Sequence, residues 1–197
     1  MSKRLFIIHG WEADPNCNWF PWLKREASKV GFEVFVPAMP NTEHPVRAEW
    51  IAYLKELVGA VDENTYFVGH SLGVITILKF LEQIPAGQKA AMAILAAGFS
   101  ESLGVPELES FTDAPLDYKK VKASAEKIII YQSDNDPFIP LASAVKMQNE
   151  FNSDLRIIKN ANSPEEDLIQ RGNHLNEGTG NFAFPEILED LVNYKNV

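Results

Sequence analysis

The stretch TYFVGHSLGVITILKFLEQI, residues 65–84, reads as a strand, a tight turn and a helix in direct succession. Tyr66, Phe67 and Val68 form an apolar run without the in/out alternation of a half-exposed strand, which predicts that both faces of this strand are covered. After Ser71 come Leu72, Val74, Ile75, Ile77, Leu78, Phe80, Leu81 and Ile84, leaving almost no polar face and predicting a helix buried nearly all round. Between the two, Gly69-His70-Ser71-Leu72-Gly73 spells G-x-S-x-G in the strand-to-helix setting that a nucleophile elbow requires. Such a turn forces the serine into a strained, positive-φ backbone, and side chains two residues to either side would strike the neighbouring strand and helix. Glycine at 69 and 73 removes both collisions. A bare pentapeptide could mark nothing more than a tight turn; its position between a buried strand and a buried helix favours Ser71 as a nucleophile.

Working outward, similar short apolar runs occur at residues 5–10 (LFIIHG), 33–39 (EVFVPAM), 90–98 (AAMAILAAG), 127–133 (KIIIYQS) and 154–160 (DLRIIKN), which with 65–71 make six strands. Helix-length segments alternate with them at 19–30, 46–61, 72–84, 140–151 and 185–195, the last opening with Pro185 as its first helical residue. In 46–61, Trp50, Leu54, Leu57, Val58 and Val61 share one face, so this helix is expected to lie on the sheet. The alternation predicts an α/β class: a three-layer α/β/α sandwich around a central, mostly parallel six-stranded sheet, with ligands at the carboxyl ends of the strands. Residues 99–125 form the longest connection without a clear element, apart from a short helix near Asp117 to Ala125, and are the candidate for a partial lid.

With 197 residues, 46% of them hydrophobic, the chain suits one domain spanning 1–197. Its 18 basic and 27 acidic residues leave a net charge of -9, and no basic stripe stands ready to neutralise phosphates. Nucleic acid and anionic membrane are therefore poor partners. The uncharged run AAMAILAAGF, residues 90–99, is far short of the roughly 20 apolar residues of a membrane helix. The start MSKRLFIIHG lacks a signal-peptide pattern, and the lone Cys17 rules out an internal disulfide and suits a reducing compartment. A cytoplasmic location is expected.

A serine nucleophile needs a base, and of the four histidines His174 lies late in the chain, in the polar loop RGNHLNEGTGNFAFPEI before the last helix. His70 points away from its neighbour Ser71 in an extended strand, His44 precedes Pro45 at a helix start, and His9 reads as structural. An orienting carboxylate is expected between serine and histidine in the chain, where KIIIYQS runs into Asp134-Asn135-Asp136-Pro137. Asp136 is preferred because Pro137 stiffens the turn behind it; Asp134 is the alternative, and turn formation alone would also explain both aspartates.

Two backbone amides are candidates for an oxyanion hole: Leu72, first in the helix after the serine, and Trp11, in His9-Gly10-Trp11 after the first strand. The rings of Trp11 and Trp19 are candidates for contact with substrate, while Phe20 and Trp22 suit packing of the first helix. Cys17 among these aromatics reads as a packed thiol. The sequence has neither metal-ligand spacing nor a glycine-rich phosphate loop, so no metal and no cofactor are expected.

Taken in order, FIIHGWEADPNCNWFPWL, FVGHSLG, SDNDPFIP and GNHLNEGTGNFAFPEI make the sequence resemble the α/β-hydrolase superfamily. Within it the resemblance is to the small family of retinoblastoma-binding protein nine and YdeN-like serine hydrolases, nearly end to end. The resemblance implies a Ser71-Asp136-His174 triad, a compact fold with little or no lid, hydrolysis of small esters or related acyl compounds, and no metal or organic cofactor. It does not carry retinoblastoma binding with it, because Cys17 lies in Pro-Asn-Cys-Asn-Trp rather than in Leu-x-Cys-x-Glu. The expected partner is a small-molecule acyl substrate, and nothing in the sequence names a protein partner. Thioester and small-peptide or amide hydrolysis share the same chemistry, and a protein-binding module on a hydrolase scaffold is the rival from another class.

Overall fold

The computed structural model describes residues 2–159 and 173–194. Its strands are β1 (Lys3–Ile8), β2 (Phe32–Phe35), β3 (Thr65–His70), β4 (Ala90–Ala96), β5 (Ala125–Ser133) and β6 (Asp154–Ile158). They form a sheet in the order β2-β1-β3-β4-β5-β6, and each pairing is parallel. A parallel neighbour can be reached only through a crossover, which is why helices separate the strands. Residues of β3 and β4 are buried throughout, as an interior strand covered on both faces requires.

Helices α2 (Arg47–Val58), α3 (Leu72–Leu81) and α6 (Leu141–Phe151) cover one face of the sheet, packing Trp50, Leu54, Leu78, Phe80 and Met147 into a core with Phe67 and Ile130. Helices α1 (Phe20–Lys29) and α7 (Pro185–Asn193) cover the other, where Phe20, Leu23, Ile187 and Leu191 meet Leu5, Val68 and Ile94. The result is the three-layer α/β/α sandwich expected from the alternation of strands and helices. α3 is buried at every position from Leu72 to Leu81, including Lys79, whose ammonium reaches Glu82 and the carbonyls of Ala114 and Pro115.

Several elements are shorter than their apolar patterns predict, for local reasons. The second strand stops at Phe35, and the prolines at 37 and 40 cannot donate to a ladder. α2 stops at Val58 because Gly59 turns the chain at φ 63°, so Val61 is buried outside the helix, and Ile51 rather than Leu57 completes its inner face. The predicted strand end at Asn160 and helix end at Lys195 lie outside the described residues, as do Arg171 and Gly172 of the histidine loop.

The 99–125 connection contains a 3₁₀ turn (Pro106–Leu108), α4 (Glu109–Thr112) and α5 (Tyr118–Ala123). α5 begins where the Asp117 side chain accepts the Lys120 N–H at 3.0 Å, a side-chain N-cap. Phe111 and Val121 are fully buried, so this segment joins the core instead of standing over it as a separate cover. Among the described residues no helix is long and apolar enough to cross a membrane.

The sheet order also locates the crevice. From β1 the chain moves outward to β2 and then returns past β1 to β3, so the crossovers on the two sides of β1 depart in opposite directions. A groove opens at the carboxyl ends of the strands at such a switch point. Gly10 follows β1 there, and Ser71 follows β3.

Candidate active site

Ser71 sits between β3 and α3 with φ 55° and ψ −120°, the left-handed backbone expected of the turn. Its N–H donates to the Ala96 carbonyl at 3.0 Å and its own carbonyl accepts from Val74 N–H at 2.9 Å, which ties the strained residue to β4 and to the helix. The two flanking glycines are sterically required. A Cβ on Gly73 would stand 2.1 Å from the Ile8 carbonyl oxygen, and one on Gly69 would stand 2.8 Å from Ile77 Cδ1 and 2.9 Å from the Gly73 carbonyl. Gly98, which the sequence reading passed over, lets the end of β4 close on α3, since a Cβ there would meet Val74 at 2.3 Å.

His174 brings its Nε2 to 2.9 Å from Ser71 Oγ, and its Nδ1 lies 3.0 and 3.2 Å from the two Asp136 oxygens. With Nδ1–H donating to the carboxylate, Nε2 is free to accept the serine proton. The Asp136 side chain is fully buried. Burial alone would raise its pKa, but the His174 ring and the Ile139 and Phe138 amides outweigh that and hold the carboxyl below its usual range. Asp136, not Asp134, therefore meets His174; Asp134 is exposed at the end of β5, with its N–H on the Ile158 carbonyl at 3.3 Å.

Among its described residues the loop around His174 has a single 3₁₀ turn (Glu177–Thr179) as regular structure, and positive φ at Asn173 (49°) and Leu175 (51°) bends it on both sides of the histidine. Side chains from other elements hold its backbone. The Ser133 hydroxyl donates to the Asn173 carbonyl, and Asn135 Oδ1 accepts the Asn173 N–H at 2.7 Å. His70 Nε2–H donates to the His174 carbonyl at 2.8 Å, and Trp19 Nε1–H to the Leu175 carbonyl at 2.9 Å. Asn18 and Glu177 then clasp each other, Asn18 N–H to Glu177 Oε2 at 2.9 Å and Glu177 N–H to Asn18 Oδ1 at 3.0 Å.

Several of these residues escaped the sequence reading. Gln132 is fully buried and donates its Nε2 hydrogens to Asp136 Oδ2 at 3.0 Å and to the Ile139 carbonyl at 3.2 Å. One signal was available: a lone amide side chain in the run KIIIYQS demands a buried partner. Burial and, secondarily, the neighbouring His174 push the His70 pKa down to about 3. His70 remains neutral and acts through its donated hydrogen bond. His9, also buried, accepts the Met39 N–H on Nε2 at 3.0 Å, consistent with a structural residue.

A cavity of about 710 Å³ opens over Ser71. Trp11 lines it, with its indole N–H donating to the Glu43 carbonyl at 3.1 Å. The expectation that Trp19 contacts substrate is corrected: its ring is fully buried, edge-on to Phe20, His70 and Phe184, and it lies outside the cavity lining. Its indole serves the histidine loop instead. Gly10 packs so close to the serine that a Cβ would come within 3.0 Å of Ser71 Cβ, which brings the backbone leading to Trp11 against Ser71. Leu72 N–H is the first donor of α3 and has no acceptor within the helix. Among the described residues, no group of three or more His, Cys, Asp or Glu side chains could hold a metal ion.

The model of the serine hydrolase family matches residues 5–192. The chain belongs to the serine hydrolase family. It is 32% identical to the YdeN protein of Bacillus subtilis (strain 168) over 195 residues, covering 98% of this chain and 97% of that one. The crystal structure of the ydeN gene product from B. subtilis superposes with a TM-score of 0.88 at 30% identity, covering 98% of both chains. The serine hydrolase RBBP9 of Rattus norvegicus is 25% identical over 125 residues, covering 62% of this chain and 64% of that one. A serine hydrolase needs an accessible serine hydroxyl beside a base, and in this family member the Ser71 hydroxyl lies at the cavity floor against His174.

Proposed function

We propose that this serine hydrolase is a single-domain, cytoplasmic enzyme that cleaves small carboxylic esters by way of an acyl-enzyme on Ser71, with His174 as base and Asp136 as its orienting carboxylate. The observation that carries the reading is the unbroken hydrogen-bonded line from Ser71 Oγ through both ring nitrogens of His174 to a buried Asp136, beneath a cavity open to a small molecule. His174 Nε2 takes the proton as Ser71 Oγ attacks the acyl carbon, a step for which a placed base contributes about 10²–10⁴-fold. The Leu72 and Trp11 amides receive the oxyanion, each such donor accounting for about 10²–10³-fold in comparable sites. The imidazolium, steadied by Asp136, returns its proton to the departing alkoxide as the C–O bond breaks. Water then attacks the acyl-enzyme with His174 again as base, releasing the acid and restoring the Ser71 hydroxyl.

Thioesters and small amides would pass through the same steps, and no feature of the cavity favours them over esters. A pure binding role gives no reason for the aligned Ser-His-Asp line. Ser71→Ala is expected to abolish both labelling by a fluorophosphonate probe and turnover of short p-nitrophenyl esters while the circular dichroism spectrum is kept. Turnover that survives the substitution overturns the reading.

A further inference from the structure

The cavity over Ser71 has two unlike arms, and the sheet order decides where each lies. β1 and β4 flank β3 on opposite sides, so the loops that follow them approach Ser71 from opposite directions. The loop after β4 contributes Phe99, Leu103, Val105 and Leu108, an unbroken apolar wall. The loop after β1 contributes Trp11, Ala13 and Cys17 together with Glu12 and Asn18, and the two-bond clasp with Asn18 pins Glu177 to the same side, so this arm carries the carboxylates. Among the described residues, no lysine or arginine lines the cavity, so these two carboxylates set its charge.

From this asymmetry we infer a substrate class, resting on the ester-hydrolase reading above: an apolar acyl chain in the β4-side arm and a polar leaving group, uncharged or cationic, in the acidic arm. The direction follows from the proton path. The leaving oxygen must be within reach of His174 Nε2, and the chain passes from His174 through the buried Leu175 to Asn176 and Glu177, which line the acidic arm. The acyl chain then falls to the apolar wall, where each methylene removed from water is worth about fourfold in binding. Glu12 and Glu177 are exposed, so their effect on a charged leaving group is screened by water and salt, about threefold each at low ionic strength.

The test uses hexanoate esters of three alcohols: choline, its uncharged isostere 3,3-dimethylbutanol, and the anionic 2-hydroxyethanesulfonate. Rates are followed by proton release and normalised to alkaline hydrolysis. The wild-type protein is expected to prefer them in that order in kcat/KM. Glu12→Gln and Glu177→Gln, the latter retaining an oxygen to accept the Asn18 N–H, should each narrow the cation-to-anion ratio about threefold, and together about tenfold. The wild-type ratio should also shrink in 1 M salt. Each ratio is internal to one variant, so a general loss of rate cancels. A ratio unchanged in the double variant, or a wild-type preference for the anionic ester, overturns the inference while fluorophosphonate labelling of wild-type Ser71 leaves the ester-hydrolase reading standing. A wild-type protein that neither labels nor turns over any of the three esters overturns both.

Discussion

The turn that carries Ser71 and the loop that carries His174 meet at a hydrogen bond of 2.9 Å, yet their backbones are held by different means. The serine turn is held by steric exclusion: β3 and α3 are buried along their lengths, and Gly69, Gly73 and Gly98 bring main chains to distances at which no Cβ fits. The histidine loop is held by directed bonds from Asn18, Trp19, His70, Ser133 and Asn135, side chains on three separate stretches of chain. Close packing tolerates no added atom, because a buried main chain has nowhere to go. A set of separate hydrogen bonds yields one member at a time, each worth about 0.5–1.5 kcal/mol. Damage to the first region should therefore unfold the protein, and damage to the second should misplace His174 in a protein that stays folded.

Gly73→Val is the largest blow to that contrast. Its first added carbon would lie 2.1 Å from the Ile8 carbonyl, so α3 and β1 must separate. A loss above about 4 kcal/mol is expected, seen as insoluble protein or a collapsed thermal melt. A Gly73→Val protein that melts like wild type would remove steric exclusion as the account of the serine turn.

Gln132→Met is next, and it acts on Asp136 and through it on His174 without touching the serine. Met fills the volume but takes one donor from Asp136 and leaves the Ile139 carbonyl without the Gln132 hydrogen. About 10- to 100-fold in kcat/KM is expected to go, with a melting temperature lowered only modestly. With one donor fewer, the Asp136 carboxyl is held less far below its usual range, so activity lost to its protonation, at the acid limb of the kcat/KM profile, should be lost at higher pH. A purely structural role for Gln132 would lower the rate and leave that limb where it was.

His70→Gln gives the smallest effect at neutral pH and sharpens the comparison through pH. Burial holds the folded His70 at about 3 against an ordinary value of 6.5, so between these values the unfolded chain binds the extra proton. Stability contributed by the neutral ring is then complete above about 6.5 and drains away as pH falls toward 3. Glutamine does not titrate there and can still donate to the His174 carbonyl. Urea midpoints measured from pH 7 to 4.5 should decline less steeply in the variant than in wild type, with ester turnover at pH 8 within a few-fold. Parallel declines would show that His70 does not carry the acid sensitivity.

How much was legible in advance follows the same division. The positions of the strands along the chain, the all-round burial of α3 and the glycine requirement around Ser71 are local matters, settled within about ten residues by periodicity and by the volume of a Cβ. Asp136 was singled out for the rigidity of its turn, and the structure adds what rigidity alone does not: both oxygens meet His174, while Asp134 lies exposed. The Trp19 ring defeats a local reading because a tryptophan at the very start of a helix beside the crevice can face either way. Its N–H finds the Leu175 carbonyl, 156 positions further along the chain.

The sequence by itself determined an α/β layering and a strained serine between a buried strand and a buried helix. Those features arise from interactions between near neighbours and from the exclusion of side chains at close main-chain contacts. Tertiary structure alone decided that Gln132 braces Asp136, that His70 grips the main chain of His174 across 104 positions, and that Asn18 binds Glu177 across 159. Hydrogen bonds between distant segments depend on where whole elements come to rest, and a side chain's composition shows only that it needs a partner, not which one it will find.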